Sequence, residues 1–316
     1  MPHEVSRPRH LAVLVLVTST VVLSGCTTPP LGAAPGPTSP GTPTAYDVSG
    51  GHVVRTGAQD YLNAVRLNAG GTGVLVGRHS VLSAAHANTP VGSIVQVTSD
   101  ARAGYYWQAE VTAVARMPGY VAGSLDLGDV GATDPDDLAI LRLADDLPAA
   151  LDVDGTVVKV EPAPVEFDVA PVQGCAACVR HVGFGATSGE EAGDSAYTKR
   201  SITTGIDEVS STKFEYGQVV DGTYVGTCHG YSGGPGYAWS GGVEKVVGIV
   251  NGGDEACRTN AWDIKMNRAD VKSFVQQTIL GWDDCTGNLN CATQTTGRRS
   301  VEGRAEGTVR PARARP

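Results

Sequence analysis

The chain lacks an apolar run long enough to cross a bilayer as a helix: its most apolar stretch, Leu11 to Leu23, is too short and ends abruptly in small residues. An excess of positive charge is also missing. With 24 Lys+Arg against 33 Asp+Glu, the formal net charge is −9, which leaves no broad basic surface and argues against nucleic acid as the main partner. Helical periodicity is scarce too. Only Ala269 to Leu280 places apolar residues (Val271, Phe274, Val275 and Ile279) on one helical stripe. No solenoid-type repeat is present. What the 316 residues do contain is 41 Gly and 18 Pro, too many for a coiled coil and too aperiodic for collagen. A 41% hydrophobic content excludes global disorder and allows a sizeable core.

The two ends read differently from the middle. Arg7, Arg9 and His10 precede the Leu11–Leu23 run, the pattern of an export signal over residues 1–25. The signal closes on Leu23-Ser24-Gly25-Cys26, which resembles the bacterial lipobox; the resemblance implies that Cys26 is acylated, becomes the mature N-terminus and holds the protein to a lipid bilayer. An ordinary secretory signal that contains a cysteine is the alternative. Residues 26–49 then form a spacer in which Pro29, Pro30, Pro35, Pro37, Pro40 and Pro43 alternate with small residues, so no helix or ladder is expected. At the other end, residues 283–316 comprise a short cysteine-containing extension and a tail with Arg298, Arg299, Arg304, Arg310, Arg313 and Arg315, which is expected to be disordered.

Between them, residues 50–282 read as short apolar or alternating runs broken by Gly, Asn, Asp and Pro: 61–67, 73–76, 80–84, 94–98, 106–116, 137–143, 156–160, 179–184, 200–205, 217–220 and 246–250. Many short strands at turn-rich spacing predict an all-β sandwich or barrel, here closed by one C-terminal helix.

Three segments carry chemistry. In Cys228-His229-Gly230-Tyr231-Ser232-Gly233-Gly234-Pro235 a serine stands among glycines, where a turn can aim backbone N–H groups at an oxyanion. Val81-Leu82-Ser83-Ala84-Ala85-His86 ends an apolar strand in small residues and an imidazole. Asp137-Leu138-Ala139-Ile140-Leu141 sets a carboxylate at the mouth of an apolar strand, where it can be buried and orient an imidazole; Asp136 is its rival. Taken singly, these are as readily a packed histidine, a strand-start turn and a Gly-Ser turn.

Together, in the order His, Asp, Ser, the segments resemble the trypsin/chymotrypsin-type serine endopeptidases from near Val53 to Leu280. The resemblance implies two six-stranded antiparallel β-barrels, a polypeptide substrate, and a cleft in which Ser232 is the nucleophile, His86 the base, Asp137 its orienter, and the amides of Gly230 and Ser232 the oxyanion hole. It implies no cofactor and no metal. Substrate contacts fall on Gly226, six before the serine, with Thr227, Asn251 and Gly253; Ala261 and Trp262 form the opposite wall. With no acidic floor, an uncharged residue before the cut is expected in place of Arg or Lys. Three positions depart from the pattern: Tyr231 stands for the usual Asp, Ala87 for a frequent cysteine and Asn251 for a serine. Because Tyr231 carries no carboxylate and His52-Val53-Val54 lacks the Gly-Gly pair, insertion of a newly cut N-terminus is not expected. Tyr231 is expected to order its turn by packing its ring and donating its hydroxyl to a carbonyl. A domain that keeps the cleft but has lost catalysis, and so only binds, is the alternative.

Seven cysteines suit an oxidising compartment, Cys26 being used for lipid. Resemblance pairs Cys228 with Cys257, and spacing pairs Cys285 with Cys291. Cys175 and Cys178 remain open to a short disulfide, a redox pair or, with His181, part of a zinc site. His79 is expected to be solvated, His52 to precede the first strand, and His229 to stand at the cleft rim.

Overall fold

A computed structural model describes residues 52–53, 61–122, 134–175, 178–186, 197–220, 223–282 and 284. Strand β1 (His52–Val53) belongs to the second of two β units, and includes the histidine expected to lie before the first strand. The chain then builds the first unit, a closed barrel of β2 (Ala64–Leu67), β3 (Thr72–Leu75), β4 (Ser80–Ser83), β5 (Ile94–Val97), β6 (Trp107–Arg116) and β7 (Ala139–Leu143). Its hydrogen-bonded order is β2-β3-β4-β7-β6-β5, and the ring closes where Arg66 and Leu67 pair with Gln96 and Val95. Alternation sends Val65, Leu67, Val81, Val95, Val97 and Leu141 inward. The hairpin of β8 (Ala150–Val153) and β9 (Thr156–Lys159) turns on Asp154 and Gly155, both at positive φ, and adds Leu151, Val153 and Val158 to that core.

The second unit comprises β10 (Val179–Gly183), β11 (Arg200–Thr204), β12 (Glu208–Val209), β13 (Lys213–Tyr216), β16 (Pro235–Ser240), β17 (Val243–Gly253) and β18 (Ala261–Lys265), with β14 (Gln218–Val220) and β15 (Thr223–Val225) as a separate hairpin. The sheet order is β1-β11-β10-β16-β17-β18-β13-β12, antiparallel throughout. The expected second barrel is therefore a half-barrel: six strands of four or more residues, flanked by the two-residue edges β1 and β12.

Helix α1 (Ala269–Gly281) buries Val271, Val275 and Ile279 at i, i+4 and i+8. These pack in one cluster with Leu138 and Ile140 of the first unit and Val246, Ile249 and Ile264 of the second, so the helix fastens both. Beyond its end, the Asp284 carboxylate accepts the amides of Arg78 (2.9 Å) and His79 (3.1 Å). His79 is therefore not the solvated turn residue expected. Its ring bonds Asp146 at 3.0 Å and the Trp282 carbonyl at 3.2 Å, because the helix terminus folds back over the β3–β4 turn.

Candidate active site

Strand β4 is buried along its whole length, and the small residues Ala84 and Ala85 let the chain turn at once into a single 3-10 turn, Ala85–Ala87. That turn ends at Asn88 in the left-handed region. It carries His86 against Asp137, which lies two residues before β7, the neighbour of β4 in the barrel. Asp137 is 1% exposed and accepts three donors: His86 Nδ1 (2.6 Å), the His86 amide (2.7 Å) and Asn251 Nδ2. Two of these bonds fix the imidazole from both its ring and its backbone, so Nε2 is the nitrogen left to face the cleft. Asp136 is occupied elsewhere, with Arg268 at 2.7 Å.

Ser232 lies on the loop between β15 and β16, held by the first unit. The Thr72 amide donates to the Ser232 carbonyl at 2.9 Å, and the Thr72 hydroxyl to the Gly230 carbonyl at 2.9 Å. Gly230 has φ +91°, and a Cβ at Gly233 would stand 2.1 Å from Ser83 Oγ and 2.4 Å from the Thr72 carbonyl. Only glycine permits that approach. The amides of Gly230 and Ser232 donate to no acceptor among the described residues, as an oxyanion site requires. Ser232 Oγ likewise has no hydrogen-bond partner among them. Tyr231 turns the other way. Its ring is 2% exposed and fills the space over Gly183 and Gly185, where a Cβ would meet it at 2.7 and 1.8 Å. The ring packs as expected, but its hydroxyl makes no hydrogen bond among the described residues; burial pushes its pKa up, and Arg200 opposes this.

His86 and Ser232 share a cavity of about 250 Å3 whose other walls include Thr227, His229, Val250, Asn251, Gly253 and Asp254. Gly226 is not part of that lining. His229 is exposed at the rim, with Nε2 on the Glu255 carbonyl at 2.8 Å. Behind the cavity runs a buried polar row. Thr227 bonds the Tyr216 hydroxyl at 2.8 Å, Tyr216 stacks on His181 at 3.9 Å, and His181 Nδ1 lies 3.6 Å from Asp263. Burial pushes His181 down to about 3, so its imidazole is neutral at neutral pH, and pushes Asp263 up.

Cys175 is bonded to Cys178, and Cys228 to Cys257. The first pair is thus a disulfide, whose sulfurs are spent on each other, and His181 is fully buried, stacked on Tyr216 and bonded to the Thr204 hydroxyl at 3.1 Å. Among the described residues, one group brings potential metal ligands together (Cys228, His229 and Cys257), and its sulfurs are consumed in the second bridge. Cys26, Cys285, Cys291 and the basic tail lie outside the described residues.

The sequence profile of the Trypsin family matches residues 48–275. The chain belongs to the trypsin family. No curated protein matches it at a significant level. Among solved structures, 714 chains match, so the fold assignment does not hang on one neighbour. One, titled as the atomic-resolution structure of HBP, has a TM-score of 0.56 and 15% identity, and the match covers 76% of this chain and 98% of that one. Within the trypsin family frame, two side chains that sequence reasoning did not place on the reaction centre stand against it. Asn251, expected to contact substrate, lines the cavity and also grips Asp137, and Thr72 holds the Ser232 loop. Both act across more than a hundred residues of chain, so no local motif announces them.

Proposed function

We propose that the protein is an exported, lipid-anchored serine endopeptidase that does not require Arg or Lys before the cut. The observation that carries this reading is the Asp137–His86 pair at 2.6 Å, opening on the same cavity as Ser232 with two unspent amides beside it. In this mechanism Ser232 Oγ attacks the scissile carbonyl as His86 Nε2 takes its proton. Asp137 holds the tautomer and stabilises the imidazolium, and the Gly230 and Ser232 amides receive the oxyanion. The proton then passes to the leaving amine, and water repeats the sequence on the acyl-enzyme. Membrane tethering through Cys26 and the spacer over residues 26–49 belong to the same proposal, with the peptidase domain over 50–282.

A binding-only domain is the second reading. It is favoured by the absence of a partner for Ser232 Oγ and by Tyr231 at the family's usual Asp. Turnover of a peptide library by purified protein, followed by mass spectrometry with Ser232→Ala as control, separates the two. Cleavage that vanishes in the variant supports the peptidase; no cleavage by either leaves the binding reading standing.

A further inference from the structure

The cavity beside Ser232 stops short of Gly226 because another side chain fills that space. A Cβ on Gly226 would lie 2.1 Å from the Tyr224 hydroxyl and 2.3 Å from its Cζ, and one on Gly217 would lie 2.8 Å from Tyr224 Cε2. The phenol is 6% exposed and packs with Ala186 and the Cys228–Cys257 bridge. It is also anchored from behind, since Tyr224 pairs with Val219 in the β14–β15 hairpin. The cavity therefore ends at Thr227 and Val250, and the Thr227 hydroxyl is already bonded to Tyr216. The side walls are close as well. The Ala261 Cβ faces Gly253, 3.2 Å from where a Cβ would be, and the buried Trp262 indole backs Gly252 at 3.1 Å. The whole space of about 250 Å3 is shared by the reaction centre and the side-chain pocket. Clefts that enclose a small-molecule ligand usually hold about 300–1,000 Å3.

We infer that Tyr224 is the floor of the substrate pocket, and that the enzyme takes a small uncharged side chain (alanine, valine, serine or threonine) before the scissile bond. This rests on the peptidase reading above. An aromatic or long aliphatic side chain would need the volume the phenol occupies, and close-packed walls yield little. A carboxylate would have to shed its water there and enter the field of Asp254, Glu215 and Asp207; burial first, and then these acids, already disfavour a negative charge on Tyr224. A Lys or Arg side chain is excluded by length, since it would have to pass through the space the phenol fills. The one acid lining the cavity, Asp254, has its oxygens on the amides of Ala256 and Arg258. Tyr224 is thus a specificity-determining residue that the position six before the nucleophile conceals, since Gly226 serves to make room for it.

The test compares kcat/KM on peptide p-nitroanilides ending in Ala, Val, Leu, Phe or Lys for wild type, Tyr224→Ala and Tyr224→Leu, with fluorophosphonate labelling as a separate measure of the reaction centre. Wild type should prefer Ala and Val over Phe and Lys by about 10-fold or more. Tyr224→Ala should raise turnover of the Phe substrate by a similar factor, and Tyr224→Leu by less. Labelled wild-type protein that cleaves after Phe, Leu or Lys as readily as after Ala overturns the inference, as does labelled Tyr224→Ala with no gain for Phe. Should Tyr224→Ala fail to label, the wild-type and Tyr224→Leu series decide alone. Absence of labelling in wild type instead brings down the peptidase reading.

Discussion

Asp137 is the most heavily engaged side chain of the proposed triad, and its three donors separate it from its neighbour in sequence. Asp137→Asn should lower kcat by about 10,000-fold, with Ser232→Ala and His86→Ala at least as damaging, because the three act as a unit. Asp136→Asn should lose only its bridge to Arg268 and keep most activity; the reverse ranking in a steady-state assay would move the orienting role to Asp136. Asn251→Leu removes a hydrogen bond to a charged acceptor, and is expected to cost roughly 10- to 100-fold in kcat with little change in KM. Lys199 is fully buried, donates to the Tyr61 carbonyl at 2.8 Å, and is pushed by burial down to about 7. Between that value and the ordinary lysine range near 10.5, the unfolded chain binds the proton and the folded protein does not. The stability of wild type relative to Lys199→Met should thus rise as pH goes from about 7 to 10, read as an upward shift of the wild-type Tm relative to the variant's; a constant difference would mean that Lys199 keeps its proton. The sequence singled out His86, Asp137 and Ser232, which the fold brings together, because each sits in a short local pattern. It could not disclose Thr72, Tyr224 or the grip of Asn251 on Asp137, whose roles consist of contacts made only after the sheets assemble.

Elements show the same division. Strands with clean apolar runs, such as β3, β4 and β7, were legible, as was α1 from its stripe. Strands β16 and β18 were not. Pro235 and Gly236 look like a turn, and Asp263 looks like a solvent residue, yet Gly236 is needed because a Cβ there would stand 2.5 Å from the buried Asp263 carboxylate. The turn that holds Ser232 is set by the Thr72 hydrogen bonds and by packing, and among the described residues no ion pair supports it. The Tyr231 ring fills the space over Gly183 and Gly185, while β1 pairs with β11 through His52 with Ser201 and Val53 with Arg200. An inserted ammonium would find no carboxylate at Tyr231. Protein starting anywhere from Thr27 to Ser49 should therefore hydrolyse a peptide substrate at similar rates without prior proteolysis. Activity that appears only after a cut leaving Val53 or Val54 at the N-terminus would contradict this. Replacing Tyr231 by Ala should cost about 3–5 kcal/mol of stability, checked by urea unfolding, since it empties a fully buried aromatic site.

For the whole molecule, the decisive feature is that the site belongs to neither unit alone. His86 and Asp137 come from the first and Ser232 from the second, with one apolar cluster and α1 locking the two together. Small shifts between units would part Ser232 from His86, so in the proposed mechanism the shared core would serve catalysis as well as stability. The half-barrel closure of the second unit was not legible, because edge strands of two residues leave no periodicity to read. Among the described residues no helix is long and apolar enough to cross a membrane; the proposed attachment is through Cys26. Wild type should partition into detergent and Cys26→Ser should not; soluble wild type beginning at Thr27 or later would remove the anchor from the account. The central claim, that this trypsin-family chain keeps an activated serine, is tested most directly by mapping a fluorophosphonate adduct by mass spectrometry. The expected result is stoichiometric modification of Ser232 in wild type and none in His86→Ala. An unmodified Ser232 in folded wild-type protein, or equal modification in His86→Ala, would contradict it.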